Sequence, residues 1–142
     1  MAKKRSNKNL IVLRYAQMWP RAVFDIKEGN QFLGSVRESL NAAGVYVLYR
    51  DDHPYYIGKT TGALFNRILE HANHPYDRYY NFWNYFSAYV AENPEHIDEL
   101  EGILIAAMPT AVNSANPRIQ RISLPNEVAR ILRKARQRAF EE

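Results

Sequence analysis

One carboxylate, Glu101, stands where the pattern of the chain favours an apolar side chain. Residues 94–108 have the apolar spacing of an amphipathic helix, and Glu101 lies four residues after Ile97 and four before Ile105. A carboxylate on a buried face is costly unless it is paired, protonated or bound to a metal. The position therefore predicts a metal ion or a buried arginine as the partner of Glu101, with a purely structural salt bridge as the alternative.

A cation and an imidazole form the second candidate pair. Residues 61–74 follow a helical pattern with one apolar stripe, and Arg67 and His71 lie four residues apart on its flank. Thr60 and Thr61 come just before this helix and are residue types that cap helix starts. The pair either faces the preceding segment at the edge of a buried seam or points into water.

Two phenols lie in that preceding segment, residues 44–58 (GVYVLYRDDHPYYIG), which the pattern predicts to be two short strands with a polar link. Side chains alternate between the faces of a strand, so a paired hairpin places Tyr46 and Tyr56 on one face. Gly58 shares that face and leaves room for a large group to approach the backbone. The other candidate residues are organised around this hairpin.

The remaining elements follow from the same patterns. We expect helices over residues 31–43, 61–74, 94–108 and 125–140, and strands over 45–49, 55–58 and 83–90. Residues 10–42 are expected to be a scaffold that leads into the hairpin. The basic C-terminal helix, 125–140, suits either phosphate contact or plain solvation. The aromatic stretch 76–90 suits either stacking on bases or ordinary core and rim packing.

The composition fits one folded domain over residues 1–142, preceded by a short basic tail at residues 1–9 that we expect to be disordered. A net charge of +4 favours a polyanionic partner only mildly. The absence of cysteine excludes disulfides, thiolate metal sites and cysteine nucleophiles, and it fits the cytoplasm. No apolar run approaches the ~18 residues of a membrane helix, so we expect no membrane partner.

The hairpin residues resemble the two triplets that define the GIY-YIG endonuclease family. Gly44-Val45-Tyr46 stands at the first triplet, with valine in place of isoleucine. Tyr56-Ile57-Gly58 matches the second triplet in full and is followed by Lys59. The substitution in the first triplet is conservative and keeps the phenol.

The polar residues further along the chain resemble the rest of the family pattern. Arg67 and His71 stand at the family's arginine and histidine positions, and Glu101 stands at its metal-binding glutamate. Asn113, in a turn-like run twelve residues later, stands at its loop asparagine. A further histidine present in some members has no well-spaced counterpart here, His74 being the nearest. The resemblance covers residues 43 to about 115.

The resemblance implies a small α/β (α+β) fold, in which a three-stranded antiparallel sheet is flanked by helices. It also implies hydrolysis of DNA phosphodiester bonds with Mg²⁺ or Mn²⁺. Tyr46 or Tyr56 would deprotonate or orient the attacking water, which requires neighbouring cations to lower a phenol pKa from its usual ~10. Arg67 would hold the phosphate, and Glu101 would bind the metal ion on the leaving-group side.

The other positions have supporting roles in this scheme. His71 would relay a proton, while Gly58, Lys59 and Asn113 would lie on the substrate side. Lys59, together with Arg118, Arg121 and the basic C-terminal helix, would contact the DNA backbone.

The segments that flank the motif region are short for a recognition domain. We therefore expect modest sequence preference and either a homodimer or a partner protein. The alternative is a nucleic-acid-binding module that has lost turnover or awaits a partner, and RNA is the less expected substrate.

Overall fold

A four-stranded antiparallel sheet organises the computed structural model, which describes residues 10–32, 34–74, 76, 82–108 and 119–141. The strands in chain order are β1 (Arg14–Pro20), β2 (Lys27–Glu28), β3 (Gln31–Phe32), β4 (Gly44–Arg50), β5 (His53–Thr60) and β6 (Tyr85–Val90). The helices are a 3₁₀ turn (Arg21–Asp25), α1 (Gly34–Ser39), α2 (Leu64–Asn73), α3 (Pro94–Ala107) and α4 (Asn126–Glu141). Among the described residues, the main sheet has the order β1-β6-β4-β5, so β5 is an edge strand, and β2 pairs with β3 in a separate two-stranded sheet.

The mixed helix-and-sheet prediction is confirmed, but the expected three strands are four, because β1 pairs with β6 on the edge opposite to β5. Strand β1 lacks the alternation that identifies strands, since only Ala16 in it is buried. Met18 has a φ of +52° where the pairing register shifts, and its N–H donates to Ser87 Oγ at 3.0 Å. A bulged strand of this kind leaves no period-two signal in the sequence.

The predicted helix over 31–43 is wrong in extent. The segment begins as the short strand β3 and becomes helical only over Gly34–Ser39. Gly44, which follows the predicted helix, is the first residue of β4. A Cβ at this position would overlap the Tyr89 carbonyl of β6, so glycine is required for the close approach of the two strands.

Helices α2 and α3 begin in different ways. The predicted threonine caps of α2 are wrong, because the helix starts after Ala63, which makes no side-chain cap. Its first N–H groups instead donate to backbone carbonyls of the segment before β4, from Leu64 to Ala42 at 2.8 Å and from Phe65 to Leu40 at 2.9 Å. The predicted start of α3 is confirmed, because the Asn93 side chain accepts a hydrogen bond from the backbone N–H of Glu95 at 3.0 Å.

The core lies on both faces of the sheet. One cluster joins Tyr46, Leu48 and Phe86 to the apolar stripe of α2, and a second joins Val45 and Val47 to the inner face of α3. Consecutive residues of β4 therefore face different helices, which explains why Val45, Tyr46, Val47 and Leu48 are all fully buried. The sheet positions α2 on one side of β5 and α3 on the other.

Helix α4 confirms the predicted basic C-terminal helix. Apart from Ala129, every side chain that the structure describes in it is exposed, including the apolar Val128, Ile131 and Leu132. Among the described residues, no helix combines the length and the apolar character that crossing a bilayer requires.

Candidate active site

Tyr46 is at the centre of the candidate site. Strand β4 places it directly opposite Gly58 of β5, and its side chain has no exposed surface. Its hydroxyl oxygen lies 2.7 Å from Nε2 of His71, which is itself 2% exposed. His71 is therefore a buried partner of the hairpin, and the alternative of a histidine pointing into water is excluded. Indole Nε1 of Trp83 donates to the His71 carbonyl at 3.3 Å, which fixes this end of α2 against the sheet.

Gly58 provides the space for the Tyr46 ring. A Cβ at Gly58 would overlap the outer ring atoms and the hydroxyl of that tyrosine. The room that we expected beside this glycine is thus filled by a side chain of the protein. Gly58 acts by positioning a phenol, which is a different role from the substrate contact we expected.

Tyr56 and Arg67 complete this cluster. The ring centroid of Tyr56 lies 6.1 Å from that of Tyr46 and 5.6 Å from that of His71, which agrees with the prediction that the two tyrosines share a face. Tyr56 is half-buried and so reaches solvent. Arg67 donates from Nη1 to Glu70 at 2.9 Å, and its side chain is 42% exposed. Four of the predicted residues therefore converge on one face of the sheet.

The electrostatics of Tyr46 differ from the expectation. Burial, with a smaller effect from Tyr56, raises the pKa of Tyr46 far above its usual value, and the neighbouring Arg67 only partly offsets this. The expected lowering of this phenol's pKa is therefore wrong, because loss of solvent outweighs one partly exposed cation. Tyr46 keeps its proton in this arrangement.

Glu101 has a lysine as its partner. Nζ of Lys59 lies 2.6 Å from a carboxylate oxygen of Asp98 and 3.5 Å from one of Glu101. The hydrogen bond to Asp98 is the main cause that raises the pKa of Lys59, against the opposing effect of burial. The Glu101 side chain is 17% exposed, as its position in the apolar stripe predicts. Among the described residues its partner is therefore a lysine and not the expected arginine, which agrees with the alternative of a structural salt bridge.

A groove of about 400 Å³ lies at the end of β5 and includes Arg67 from the first cluster and Lys59 and Asp98 from the second. It is lined by Lys59, Thr60, Thr61, Arg67, Pro94, Ile97 and Asp98. Because β5 is an edge strand, Arg67 from the α2 side and Asp98 from the α3 side meet beyond it. Since one water occupies ~30 Å³, the groove has room for a phosphate group and several waters.

Asp98, which lines the groove, and Glu101, which shares its lysine partner, suit a hard divalent cation. Asp98 and Glu101 lie one helical turn apart on α3 and point at the same ammonium group. Mg²⁺ is typically bound by one or two carboxylates while it keeps several waters. Within the described part of the chain, no group of three or more acidic, histidine or cysteine side chains could hold a metal ion. The donors therefore fit a largely hydrated Mg²⁺ or Mn²⁺, with Lys59 as a competing cation.

Asp98 is the residue that the sequence reasoning missed. It lies three residues before Glu101, and positions three apart on a helix are neighbours, so the spacing was a usable signal. His74 and Arg121 are exposed. The predictions for Asn113 and Arg118 fall outside the described residues.

Comparison with known proteins identifies no relative. No protein-family model matches the chain. No curated protein and no solved structure matches it either.

Proposed function

We propose that the chain is a metal-dependent endonuclease of GIY-YIG type that hydrolyses phosphodiester bonds in DNA. The observation that supports this best is the groove, which has Arg67 on one wall and Asp98 on the other. The Tyr46–His71 pair lies next to Arg67, and Glu101 follows Asp98 by one turn of helix. These groups match the needs of the reaction, which are proton transfer, charge stabilisation and a divalent cation.

Arg67 is the group that binds the scissile phosphate. A guanidinium offers a planar fork of donors that matches two phosphate oxygens. Its ion pair with Glu70 joins side chains that are 42% and 57% exposed, and such pairs contribute only about 0–1 kcal/mol. A phosphate therefore replaces Glu70 at little cost.

The proton acceptor is His71, reached through the tyrosines. Tyr46 is sealed from solvent and protonated, so it cannot itself begin as a phenolate base, whereas Tyr56 is accessible. The attacking water gives its proton to the hydroxyl oxygen of Tyr56, while the proton of Tyr56 passes to the hydroxyl oxygen of Tyr46. The proton of Tyr46 passes in turn to the unprotonated Nε2 of His71, 2.7 Å away, so both tyrosines stay neutral and His71 carries the added proton. An imidazole is the side chain whose ordinary titration lies nearest to neutrality.

Glu101 and Asp98 would hold Mg²⁺ or Mn²⁺. When bound, such an ion offsets negative charge on the phosphate and on the departing oxygen. The ammonium group of Lys59 already pairs with both carboxylates, so the metal ion and Lys59 would compete for this position.

Nicking of supercoiled plasmid tests the proposal. We expect Mg²⁺-dependent nicking that falls by roughly 100-fold or more in Arg67→Ala, as for other preorganised charge stabilisers. The matched control is Arg14→Ala, on β1 at the opposite edge of the sheet. Glu101→Gln should also abolish nicking, whereas Glu99→Gln, at an exposed position of the same helix, should not. Nicking that survives both Arg67→Ala and Glu101→Gln would exclude this site.

A binding module without turnover is the second candidate, and two observations favour it. Tyr46 is buried with a raised pKa, and Lys59 occupies both carboxylates. DNA binding without cleavage in Mg²⁺ and in Mn²⁺ would support this candidate. RNA is tested as substrate in the same assay. A cytoplasmic location and a homodimer or partner protein stay predictions.

A further inference from the structure

A stacked aromatic pair lies beside the turn of the β4–β5 hairpin and has no role in the mechanism above. The rings of Tyr55 and Phe82 are 3.9 Å apart between centroids, with 26° between their planes. The Phe82 side chain is 46% exposed. The pair borders a hollow of about 340 Å³, lined also by Arg50, Asp51, His53 and Pro54. An exposed ring in a stacked pair is a surface on which a further flat ring can stack.

A β-bulge directs Tyr55 into this position. Leu48 pairs with Tyr56, but the next residue, Tyr49, pairs with Pro54, so the pairing register shifts by one residue at Tyr55. The extra residue breaks the alternation, and both Tyr55 and Tyr56 pack against the core cluster on the α2 side. Bulges at sheet edges commonly re-aim a side chain in this way. Tyr55 therefore lies on the same side of β5 as the candidate active site.

Hydrogen bonds position the segment that carries the second ring, Phe82. Asn84, two residues after Phe82, accepts from the Asp51 amide at 2.7 Å and donates to the Asp51 carboxylate at 2.9 Å. The backbone N–H of Asn84 donates to the Tyr49 carbonyl at 2.9 Å. The neighbouring Trp83 is buried and bonded to the His71 carbonyl. Hydrogen bonds from the two residues after Phe82 thus reach both the turn of the hairpin and the carbonyl of His71.

The charges of the hollow decide which part of a nucleotide it suits. Arg50 lies over this region, with Nη1 3.5 Å from the Phe82 carbonyl, but Asp51 adjoins it with the opposite charge. The neighbouring Asp52 is also exposed and acidic. These three side chains sum to a charge of −1, so the hollow does not attract phosphate groups. Ring stacking must supply the affinity, and it does not distinguish among the four bases.

We propose that Tyr55 and Phe82 form a stacking platform for an unpaired nucleobase, so that the preferred substrate is DNA with single-stranded nucleotides beside the scissile bond. The proposal rests on the proposed function, because it names the substrate class of that same site. A base within an intact duplex presents only its edges, whereas an unpaired base exposes the face that stacking needs.

Binding in EDTA tests the platform separately from cleavage. The measurement is fluorescence anisotropy with a labelled oligodeoxythymidine and with a duplex of the same length. We expect Phe82→Ala to weaken the binding of the single strand by roughly 5- to 100-fold, which corresponds to the loss of one stacked base. Duplex binding should change less than about two-fold. Phe82→Trp should restore single-strand binding, and Tyr76→Ala, at a 92% exposed aromatic residue outside the pair, is the matched control.

Three results would overturn the platform. The first is equal weakening of single strand and duplex in Phe82→Ala with an unchanged melting temperature. The second is full single-strand affinity in Phe82→Leu, which keeps apolar bulk but removes the ring. The third is a failure of unlabelled single strand to displace the labelled oligonucleotide from the wild type or from the variant, while a proline- or aromatic-rich peptide binds. That result would assign the hollow to a protein partner. Intact single-strand binding without plasmid nicking would refute the proposed nuclease alone.

Discussion

Replacing Gly58 with alanine should test whether the tyrosine at the centre of the site is held as the structure describes. The added Cβ would overlap the hydroxyl and outer ring atoms of Tyr46. That ring cannot move aside freely, because it is fully buried and bonded to His71 at 2.7 Å. Overpacking of a core costs about 1–3 kcal/mol, and loss of a hydrogen bond adds about 0.5–1.5 kcal/mol. We expect Gly58→Ala to reduce the free energy of unfolding by about 3 kcal/mol.

Urea unfolding followed by far-ultraviolet circular dichroism measures this loss. For a chain of this size it corresponds to a decrease in melting temperature of roughly 10 °C. Gly62→Ala is the matched control, since the nearest atom to its Cβ would be Thr60 Oγ1 at 3.6 Å. This control should change stability by less than about 1 kcal/mol, because alanine also restricts the unfolded chain.

A double-mutant cycle identifies the ring as the cause. Leucine at position 46 lacks the outer ring atoms and the hydroxyl, so Gly58→Ala in a Tyr46→Leu background should cost less than about 1 kcal/mol. The resulting coupling of about 2 kcal/mol is typical of residues in direct contact. An equal cost of Gly58→Ala in both backgrounds would refute the reasoning, as would a result indistinguishable from Gly62→Ala.

Two further predictions concern charge in the site. The unfolded chain releases the Tyr46 proton near pH ~10, whereas the folded chain retains it, so wild-type stability should fall above that pH by up to ~1.4 kcal/mol per unit. Tyr46→Phe should reduce this decline and Tyr76→Phe should not. Urea unfolding at about pH 8 and pH 11 measures the decline, and equal declines in the wild type and both variants would contradict the burial argument. Lys59→Met should reduce the free energy of unfolding by at most about 1 kcal/mol, because its partner Asp98 is 38% exposed. The same substitution should increase the rise in melting temperature that Mg²⁺ causes, because Asp98 and Glu101 lose their competing cation. An unchanged Mg²⁺ response would show that Lys59 does not compete for the ion.

Local patterns were sufficient for the elements whose signals lie in consecutive residues. The β4–β5 hairpin follows from alternation and a polar link, and the start of α3 follows from Asn93 and Pro94. The partly buried position of Glu101 follows from its place in an apolar stripe. Each of these features depends on residues within a few positions of one another, so the sequence alone determines them.

Contacts between distant segments decided the rest. Strand β1 is recognisable only through its pairing with β6, and the start of α2 is capped by carbonyls of Leu40 and Ala42 instead of the threonines beside it. The Lys59 ion pairs with α3 depend on how that helix packs against β5. The protonation of Tyr46 depends on complete burial, which no neighbouring residue type reveals. Hydrogen-bond partners, solvent exclusion and charge pairing are properties of three-dimensional distance, and for these groups that distance exists only once the sheet and both helices have assembled.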